Sequence, residues 1–394
     1  MTDSTASTGR NVGVTAAKGF RAAGVTAGIK ASGTPDLALV VNDGPSPAAA
    51  GVFTGNRVKA APVLWSEQVL KGGRVAAVVL NSGGANACTG PLGFQDTHAT
   101  AEKVAEELKL SAGEVAVAST GLIGVRLPMD ILLPGVALAA RELDAAGGEA
   151  AAIAIKTTDT VHKTAQVTRD GWTVGGMAKG AGMLAPGLAT MLVVLTTDAD
   201  LDAAALDASL RAATRTTFDR IDSDGCMSTN DTVLLLASGA SGVTPDRDGF
   251  EEAVRTVCAD LARQLIGDAE GASKDIRIDV TDAATEAEAV DVARVISRNN
   301  LLKCALHGED PNWGRVLAAI GTTSAAFDPD RLDVAINGVW VCRDGSVGED
   351  RDLVDMTGRE IVITARLNAG EAAATVWTND LTADYVHENS AYST

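Results

Sequence analysis

Short apolar segments, interrupted by glycine-containing turns, recur along this chain and constrain its fold more than any other feature. Examples are DLALVVND, AAGVFTGN, RVAAVVLNSGG, MLVVL and DTVLLLASG. Apolar runs of this length, bounded by Gly, Asn and Asp, are typical of strands and turns. Aromatic residues make up only 3% of the chain, so Val, Leu, Ile and Ala must form the core. The pattern therefore predicts buried β-sheets.

Several segments instead have helical patterns. They are residues 96–108, alanine-rich stretches near 135–155 and 203–216, and residues 250–265 and 286–296. The helices cluster and do not separate every strand, which favours a layered α/β fold with mixed sheets over a doubly wound one. We expect a main α/β domain over residues 1–279 and a smaller C-terminal α/β domain over residues 280–394, with RLDVAINGVWV and EIVITARL among its strands.

Charge and terminal composition exclude several classes of partner. The 394 residues carry a formal net charge of −18, so we expect binding neither to nucleic acid nor to an anionic membrane surface. The N-terminal MTDSTASTGR is polar and unlike a secretory signal, and the apolar runs are too short to span a bilayer. We therefore expect a cytoplasmic protein.

The cysteines and histidines do not indicate a metal site or a disulfide framework. The five cysteines are scattered without C-x-x-C spacing, and the four histidines have no i, i+4 pair. We expect reduced, mostly buried thiols, no metal and no bound cofactor.

Three other motifs lack the context that their chemistry needs. Gly180-x-Gly182 imitates a dinucleotide-binding loop, but Pro186-Gly187 and a strand follow where a helix is required. DRIDSDGCMSTND lacks calcium-loop spacing and is predicted to be a hydrogen-bonded turn. HGEDPNWGR is rich in turn residues and is given no catalytic role. The chain also has no P-loop and no G-x-S-x-G elbow.

Thr190 is the one hydroxyl directly in front of the apolar run MLVVL. A β-branched residue at the start of a strand commonly has only a packing role, and this is the alternative interpretation of Thr190. Threonine becomes an effective nucleophile when it is the first residue of a chain, because its own α-amine then acts as the base. That role requires cleavage of the peptide bond between Ala189 and Thr190. Acyl chemistry also needs oxyanion donors, and the Thr120-Gly121 loop after a strand is a candidate, although the residues alone do not pair it with Thr190.

These residues lie in motifs that resemble a known family. KGAGMLAPGLATML resembles the cleavage-site motif of the glutamate N-acetyltransferases, also called ornithine acetyltransferases. The resemblance covers nearly the whole chain, through AAGVFTGNRVKAAPV, NSGGANACTG, ASTGLIG, TTDT, STNDT, DAEGASK, DPNWGR and ENSAYST.

The resemblance implies a site and a processing scheme on an N-terminal-nucleophile-like fold. Self-cleavage would separate an α chain, residues 1–189, from a β chain, residues 190–394, in a heterotetramer of two α and two β chains. Thr190 would be the nucleophile, and Thr120 and Gly121 would form the oxyanion hole. The implied substrate contacts are Thr157, Lys179, Thr190, Glu270, Asn389 and Thr394. The C-terminal tail would then return to the active site.

The implied reaction transfers the acetyl group of N²-acetylornithine to glutamate through an acetyl-Thr190 intermediate, giving ornithine and N-acetylglutamate. Acetyl-CoA stays open as a second acyl donor. Lys179 suits an amino-acid α-carboxylate, and Glu270 suits the side-chain ammonium of ornithine. Two alternatives also stay open: an N-terminal-nucleophile aminopeptidase or amidohydrolase, in which water accepts the acyl group, and a non-catalytic ligand-binding homologue.

Overall fold

A computed structural model describes residues 11–185 and 191–391. Within them the helices are α1 (Ala61–Leu70), α2 (Gly90–Leu108), α3 (Met129–Arg141), α4 (Gly148–Ala154), α5 (Ala203–Thr216), α6 (Arg247–Gly267), α7 (Glu286–Ser297), α8 (Asn300–His307), α9 (Trp313–Ile320) and α10 (Ala383–Ala391). The strands are β1 (Phe20–Val25), β2 (Leu37–Asn42), β3 (Ala49–Phe53), β4 (Ala77–Ser82), β5 (Val115–Thr120), β6 (Lys163–Arg169), β7 (Trp172–Lys179), β8 (Leu192–Thr197), β9 (Thr232–Ala237), β10 (Asp275–Ala283), β11 (Asp333–Ile336), β12 (Val339–Arg343), β13 (Ser346–Val347), β14 (Glu360–Arg366) and β15 (Ala372–Asn379).

The strands form three sheets, each with both parallel and antiparallel pairs. The first has the order β1-β2-β4-β5, the second β3-β9-β8-β7-β6, and the third β13-β12-β11-β14-β10-β15. The parallel neighbours are β4 with β5, β8 with β9, and β10 with β14. The predicted mixed-sheet α/β class is therefore confirmed.

The first two sheets pack face to face, and helices cover their outer faces. Val78 on β4 and Val194 on β8 lie in one core between the two sheets. Val79, the next residue of β4, packs in a core with α2 and α3, whereas Val193 packs in a core with α5 and α6. Because successive strand residues point to opposite faces, both sheets are buried on both sides. The result is a four-layered helix–sheet–sheet–helix arrangement.

The third sheet has its own core. Its buried apolar residues run from Ile276 to Val376, and α7 packs across β10 and β15. The predicted boundary between residues 279 and 280 falls inside β10, whose partners in the described part of the chain are β14 and β15 of this sheet. The division into a main and a C-terminal domain stays a proposal.

Some local predictions were incomplete. Only strands and turns were predicted around AAGVFTGN and RVAAVVLNSGG, but α1 lies between these two segments, with Pro62 in its first turn, where proline is well tolerated. The alanine-rich stretch near 135–155 forms two helices, α3 and α4, with a break between them. The expectation of mostly buried cysteines was wrong, because Cys88, Cys226 and Cys304 are exposed. Among the described residues, no helix has the length and apolar character needed to cross a membrane.

Candidate active site

A cleft of about 70 Å³ brings together residues from five separate parts of the chain. It is lined by all six predicted site residues that the structure describes: Thr120, Gly121, Thr157, Lys179, Glu270 and Asn389. The remaining predicted residues, Ala189, Thr190 and Thr394, lie outside the described part of the chain. Larger cavities exist, such as one of about 260 Å³ around Trp377, but none of the six lines it.

Lys179 ends β7 and is only 2% exposed. Its Nζ donates a hydrogen bond to Thr120 Oγ1 at 3.3 Å. Burial lowers the pKa of Lys179, and the carboxylates of Asp159 and Glu270 oppose that effect. In the β7–β8 ladder Lys179 is opposite Leu192, so this cation lies beside the strand that follows the predicted cut.

The turn after β5 places a main-chain amide at the wall of the cleft. The carbonyl of Thr120 accepts hydrogen bonds from the amides of Gly83 and Gly84, at 2.9 and 3.0 Å. Gly121 has φ +129°, and a Cβ there would lie 2.6 Å from the Gly84 nitrogen. Only glycine fits this turn, which fixes the position of the Gly121 backbone next to the Thr120 hydroxyl.

The acidic wall of the cleft is Glu270, which follows α6. Asn389 Nδ2, from the C-terminal helix α10, donates to Glu270 Oε2 at 2.9 Å, and the Glu270 amide donates to the carbonyl of Ala181 at 3.1 Å. A Cβ at Gly182 would lie 2.5 Å from the same carboxylate oxygen. The end of the described chain is thus attached to the cleft through this carboxylate.

Asp159 lies under the cleft, and the sequence analysis assigned it no role. Its Oδ1 accepts from the Gly180 amide at 2.7 Å and from Lys163 Nζ at 2.6 Å, and its Oδ2 accepts from the Thr157 amide at 3.1 Å. Burial alone would raise the pKa of Asp159, but the charges of Lys179 and Lys163 lower it to about 2. The only signal in the sequence was its place in the TTDT motif.

Residues 219–231, predicted to be a hydrogen-bonded turn, contact the chain on both sides of the predicted cut. The Met183 amide donates to Asp224 Oδ2 at 2.7 Å, and the Met191 amide donates to Asp231 Oδ1 at 3.2 Å. Asp231 is fully buried, its Oδ2 has no hydrogen-bond partner, and burial raises its pKa well above the usual range. The nearby hydroxyls of Thr54 and Ser228 oppose this rise in the pKa of Asp231, but neither of them donates a hydrogen bond to Asp231 Oδ2.

A serine, a histidine and an aspartate also meet elsewhere, beside the third sheet. Ser273 Oγ and His307 Nδ1 both bond to Asp380 Oδ2, the histidine at 2.9 Å. The serine lies on the Nδ1 side of the ring, whereas a catalytic triad places the serine on Nε2 and the carboxylate on Nδ1. This cluster therefore lacks the geometry of a hydrolase triad.

The cleft thus combines a buried cation, an opposing carboxylate and a glycine amide beside a hydroxyl, an arrangement suited to acyl chemistry on a small amino-acid substrate. The chain belongs to the ArgJ family, whose model matches residues 21–394. It is 79% identical over 380 residues to the arginine biosynthesis bifunctional protein ArgJ of Streptomyces coelicolor, covering 96% of this chain and 99% of that protein. The corresponding protein of Thermobifida fusca is 64% identical over 381 residues, covering 97% and 100%.

Among solved structures, the chain is similar to the ornithine acetyltransferase of Mycobacterium tuberculosis in complex with ornithine. The two are 64% identical, and the match covers 46% of this chain and 97% of the other, with a TM-score of 0.45.

Proposed function

We propose that this member of the ArgJ family transfers the acetyl group of N²-acetylornithine to glutamate, through an acetyl-Thr190 intermediate formed after self-cleavage before Thr190. The observation that carries the proposal is the cleft, because six residues selected from the sequence motifs line one small cavity. The names of the relatives in Streptomyces coelicolor and Thermobifida fusca support a role in arginine biosynthesis.

The charges of the cleft match those of the substrates. N²-acetylornithine has an α-carboxylate and a side-chain ammonium, and the cleft offers the buried cation of Lys179 and the carboxylate of Glu270. Glutamate shares only the α-carboxylate, so Lys179 would bind both substrates and Glu270 would favour the donor. The Thr120 hydroxyl and the Gly121 amide would stabilise the negative charge that develops on the acetyl oxygen.

Transfer would proceed in two displacements at one nucleophile. Thr190 Oγ attacks the acetyl carbonyl carbon while its proton passes to the α-amine of the same residue. The amide C–N bond then breaks, the ornithine nitrogen takes that proton, and ornithine leaves. The glutamate amine next attacks the acetyl ester, N-acetylglutamate leaves, and the threonine hydroxyl regains its proton. Such a sequence gives ping-pong kinetics.

Self-cleavage would use the same hydroxyl. Thr190 Oγ attacks the carbonyl carbon of Ala189, the peptide nitrogen leaves as the new α-amine, and water hydrolyses the resulting ester. Well-oriented intramolecular groups reach effective molarities of about 10⁵–10⁸ M. The hydrogen bonds of Met183 to Asp224 and of Met191 to Asp231 support the proposal, because they restrain the chain on both sides of the bond.

We also propose that the α and β chains assemble as a heterotetramer of two α and two β chains in the cytoplasm, where amino-acid biosynthesis takes place. The main domain would comprise residues 1–279 and the C-terminal domain residues 280–394, with the tail closing the site through Asn389 and Thr394. Gel filtration with light scattering tests the assembly: a mass of about two precursor chains is expected, and a mass of one would contradict it.

Intact-mass spectrometry with a transfer assay tests the main proposal. The purified protein should contain fragments 1–189 and 190–394 and form N-acetylglutamate from N²-acetylornithine and glutamate. Thr190→Ala should remain one inactive chain, and Thr190→Ser should still cut. Full activity in an uncut wild-type chain would contradict the mechanism. Release of acetate without N-acetylglutamate would favour the amidohydrolase alternative. A wild-type chain that is neither cut nor active would favour the ligand-binding alternative.

The word bifunctional in the names of the relatives favours a second acyl donor, for which acetyl-CoA is the candidate. An assay with acetyl-CoA and glutamate, without N²-acetylornithine, tests this activity. Formation of N-acetylglutamate would support it, and its absence would leave the enzyme monofunctional.

A further inference from the structure

Three charged side chains form a buried network directly beneath the cleft. Lys163 Nζ lies 2.6 Å from Asp159 Oδ1 and 2.6 Å from Asp268 Oδ2. The side chains of Lys163 and Asp159 are fully buried, and that of Asp268 is 9% exposed. Breaking a buried ion pair leaves an uncompensated charge and is strongly unfavourable, so the three groups hold one arrangement.

The network connects three segments that line the cleft. Asp159 accepts the amide of Thr157 and the amide of Gly180, the residue after Lys179. Asp268 accepts the amide of Thr160 at 3.1 Å and lies two residues before Glu270. Removal of Asp159 would leave both of its main-chain donors without their buried acceptor, so the segments of Thr157 and Gly180 would lose their common support.

The same carboxylate also sets the charge of Lys179. Besides burial, the groups that act on the Lys179 ammonium are Asp159, Lys163, Glu270 and Asp231, and it also faces Lys30. Asp159 contributes the largest of the opposing carboxylate effects. Without Asp159, Lys179 would lie in the same buried position next to Lys163 and Lys30, with its ammonium form less favoured.

We propose that Asp159 is a positioning residue for acetyl transfer, which aligns the segments of Thr157 and Gly180 and thereby places the Lys179 ammonium for the substrate carboxylate. The inference rests on the proposed function, because it takes Lys179 as the carboxylate-binding group. Asp159 acts through these neighbours.

The test is Asp159→Asn in the processed enzyme, with kcat and KM measured across pH for both amino acids. The substituted amide keeps the shape and removes the charge. KM should rise about tenfold or more for N²-acetylornithine and for glutamate, the order expected when a charge-assisted hydrogen bond is weakened. Lys179 must be protonated to bind, and a lower Lys179 pKa means that binding is lost at lower pH. The basic limb of kcat/KM should therefore move to lower pH.

Two further variants test whether the charge of Asp159 acts on Lys179. Asp159 raises and Lys163 lowers the pKa of Lys179, so Asp159→Asn with Lys163→Met should return the basic limb towards that of the wild type, while KM stays raised. Asp207→Asn removes a carboxylate from an exposed ion pair with Arg211 and should change neither quantity.

The outcomes separate this inference from the proposed function. No transfer by the wild type would contradict the proposed function itself. An active wild type, together with a folded Asp159→Asn whose KM and basic limb are unchanged, would overturn only the role of Asp159. If Asp159→Asn does not fold, the double variant decides, because an unchanged KM there would equally overturn the positioning role.

Discussion

Lys179 is the residue whose chemistry is easiest to isolate, because one buried ammonium would serve both substrates. We predict that Lys179→Met cuts normally and has a higher KM for N²-acetylornithine and for glutamate. Loss of a charge-assisted hydrogen bond costs about 1.5–3 kcal/mol, or about ten- to a hundredfold in kcat/KM. Steady-state kinetics measure it. Lys71→Met, at an exposed site, is the control, and an unaltered KM in Lys179→Met would remove Lys179 from the site.

Gly182 tests whether the Glu270 carboxylate selects the donor. A Cβ at residue 182 would lie 2.5 Å from Glu270 Oε2 and displace this carboxylate. We predict that Gly182→Ala raises KM for N²-acetylornithine by about tenfold and changes KM for glutamate much less, because only the donor has a side-chain ammonium. Gly113→Ala, which meets only Ser111 Oγ at 3.6 Å, is the control. Equal effects on the two substrates would contradict a donor-specific role for Glu270.

The role of a single residue could be predicted when the residue belongs to a recognisable motif. It could not be predicted when the role depends on burial in the folded protein. Lys179 stands in the long cleavage-site motif, so the resemblance could select it. Asp159 and Asp231 are aspartates in polar, turn-like sequences, where solvent-exposed aspartates are common. Their burial depends on partners farther along the chain, such as the Gly180 amide for Asp159 and the Met191 amide for Asp231. No local pattern contains that information.

At the scale of elements, the turn of residues 219–231 is expected to control cleavage. Asp224 accepts the Met183 amide before the predicted cut, so Asp224→Ala should loosen that flank. We predict slower appearance of the fragments, by about tenfold, in a time course of intact masses, since orientation supplies much of an intramolecular rate. Asp246→Ala removes a comparable main-chain acceptor at the start of α6 and should cut at the wild-type rate. A normal rate in Asp224→Ala would show that this contact is dispensable.

The elements themselves were predictable to different extents. Strands such as β8 and β9 are uninterrupted apolar runs, and α7 coincides closely with the helix predicted over residues 286–296. The helix α1 was missed because its buried residues include Ala61, Pro62 and Ser66 as well as Val63 and Val69. Such a helix shows no clean polar face, so its periodicity is weak. Tertiary packing, which the local sequence does not reveal, determines its conformation.

At the scale of the whole molecule, the two proposed chains share one fold. In the second sheet β3 pairs with β9 and β7 pairs with β8, so strands from both sides of the cut share one sheet. We predict that the cut enzyme elutes as one species under native conditions and shows two fragments under denaturing ones. Activity should not return after denaturation and dilution, whereas uncut Thr190→Ala should regain native-like circular dichroism. Separation of the fragments under native conditions would contradict this shared core.

The arrangement of layers was accessible mainly through the resemblance. Apolar runs buried on both faces, such as Leu192 to Leu195, indicate a central strand, but they do not say which sheet lies on which face. That pairing depends on the alternation of Val193 and Val194 between two cores, each filled by distant helices or strands. Local sequence patterns determine the strands and helices, whereas long-range packing determines how the sheets and helices are arranged in layers.

The β7–β8 pairing, described above as the neighbour of the cut, also bears on how the enzyme can be made. In the precursor residues 180–191 join Lys179 to Leu192 within one chain, and covalent linkage gives two segments effective concentrations of up to about the millimolar range. Two chains made separately would have to meet at their actual, far lower concentrations. The second chain would meanwhile start with β8, an apolar strand with unpaired edges and a strong tendency to aggregate. A single gene product that cuts itself after folding avoids both difficulties.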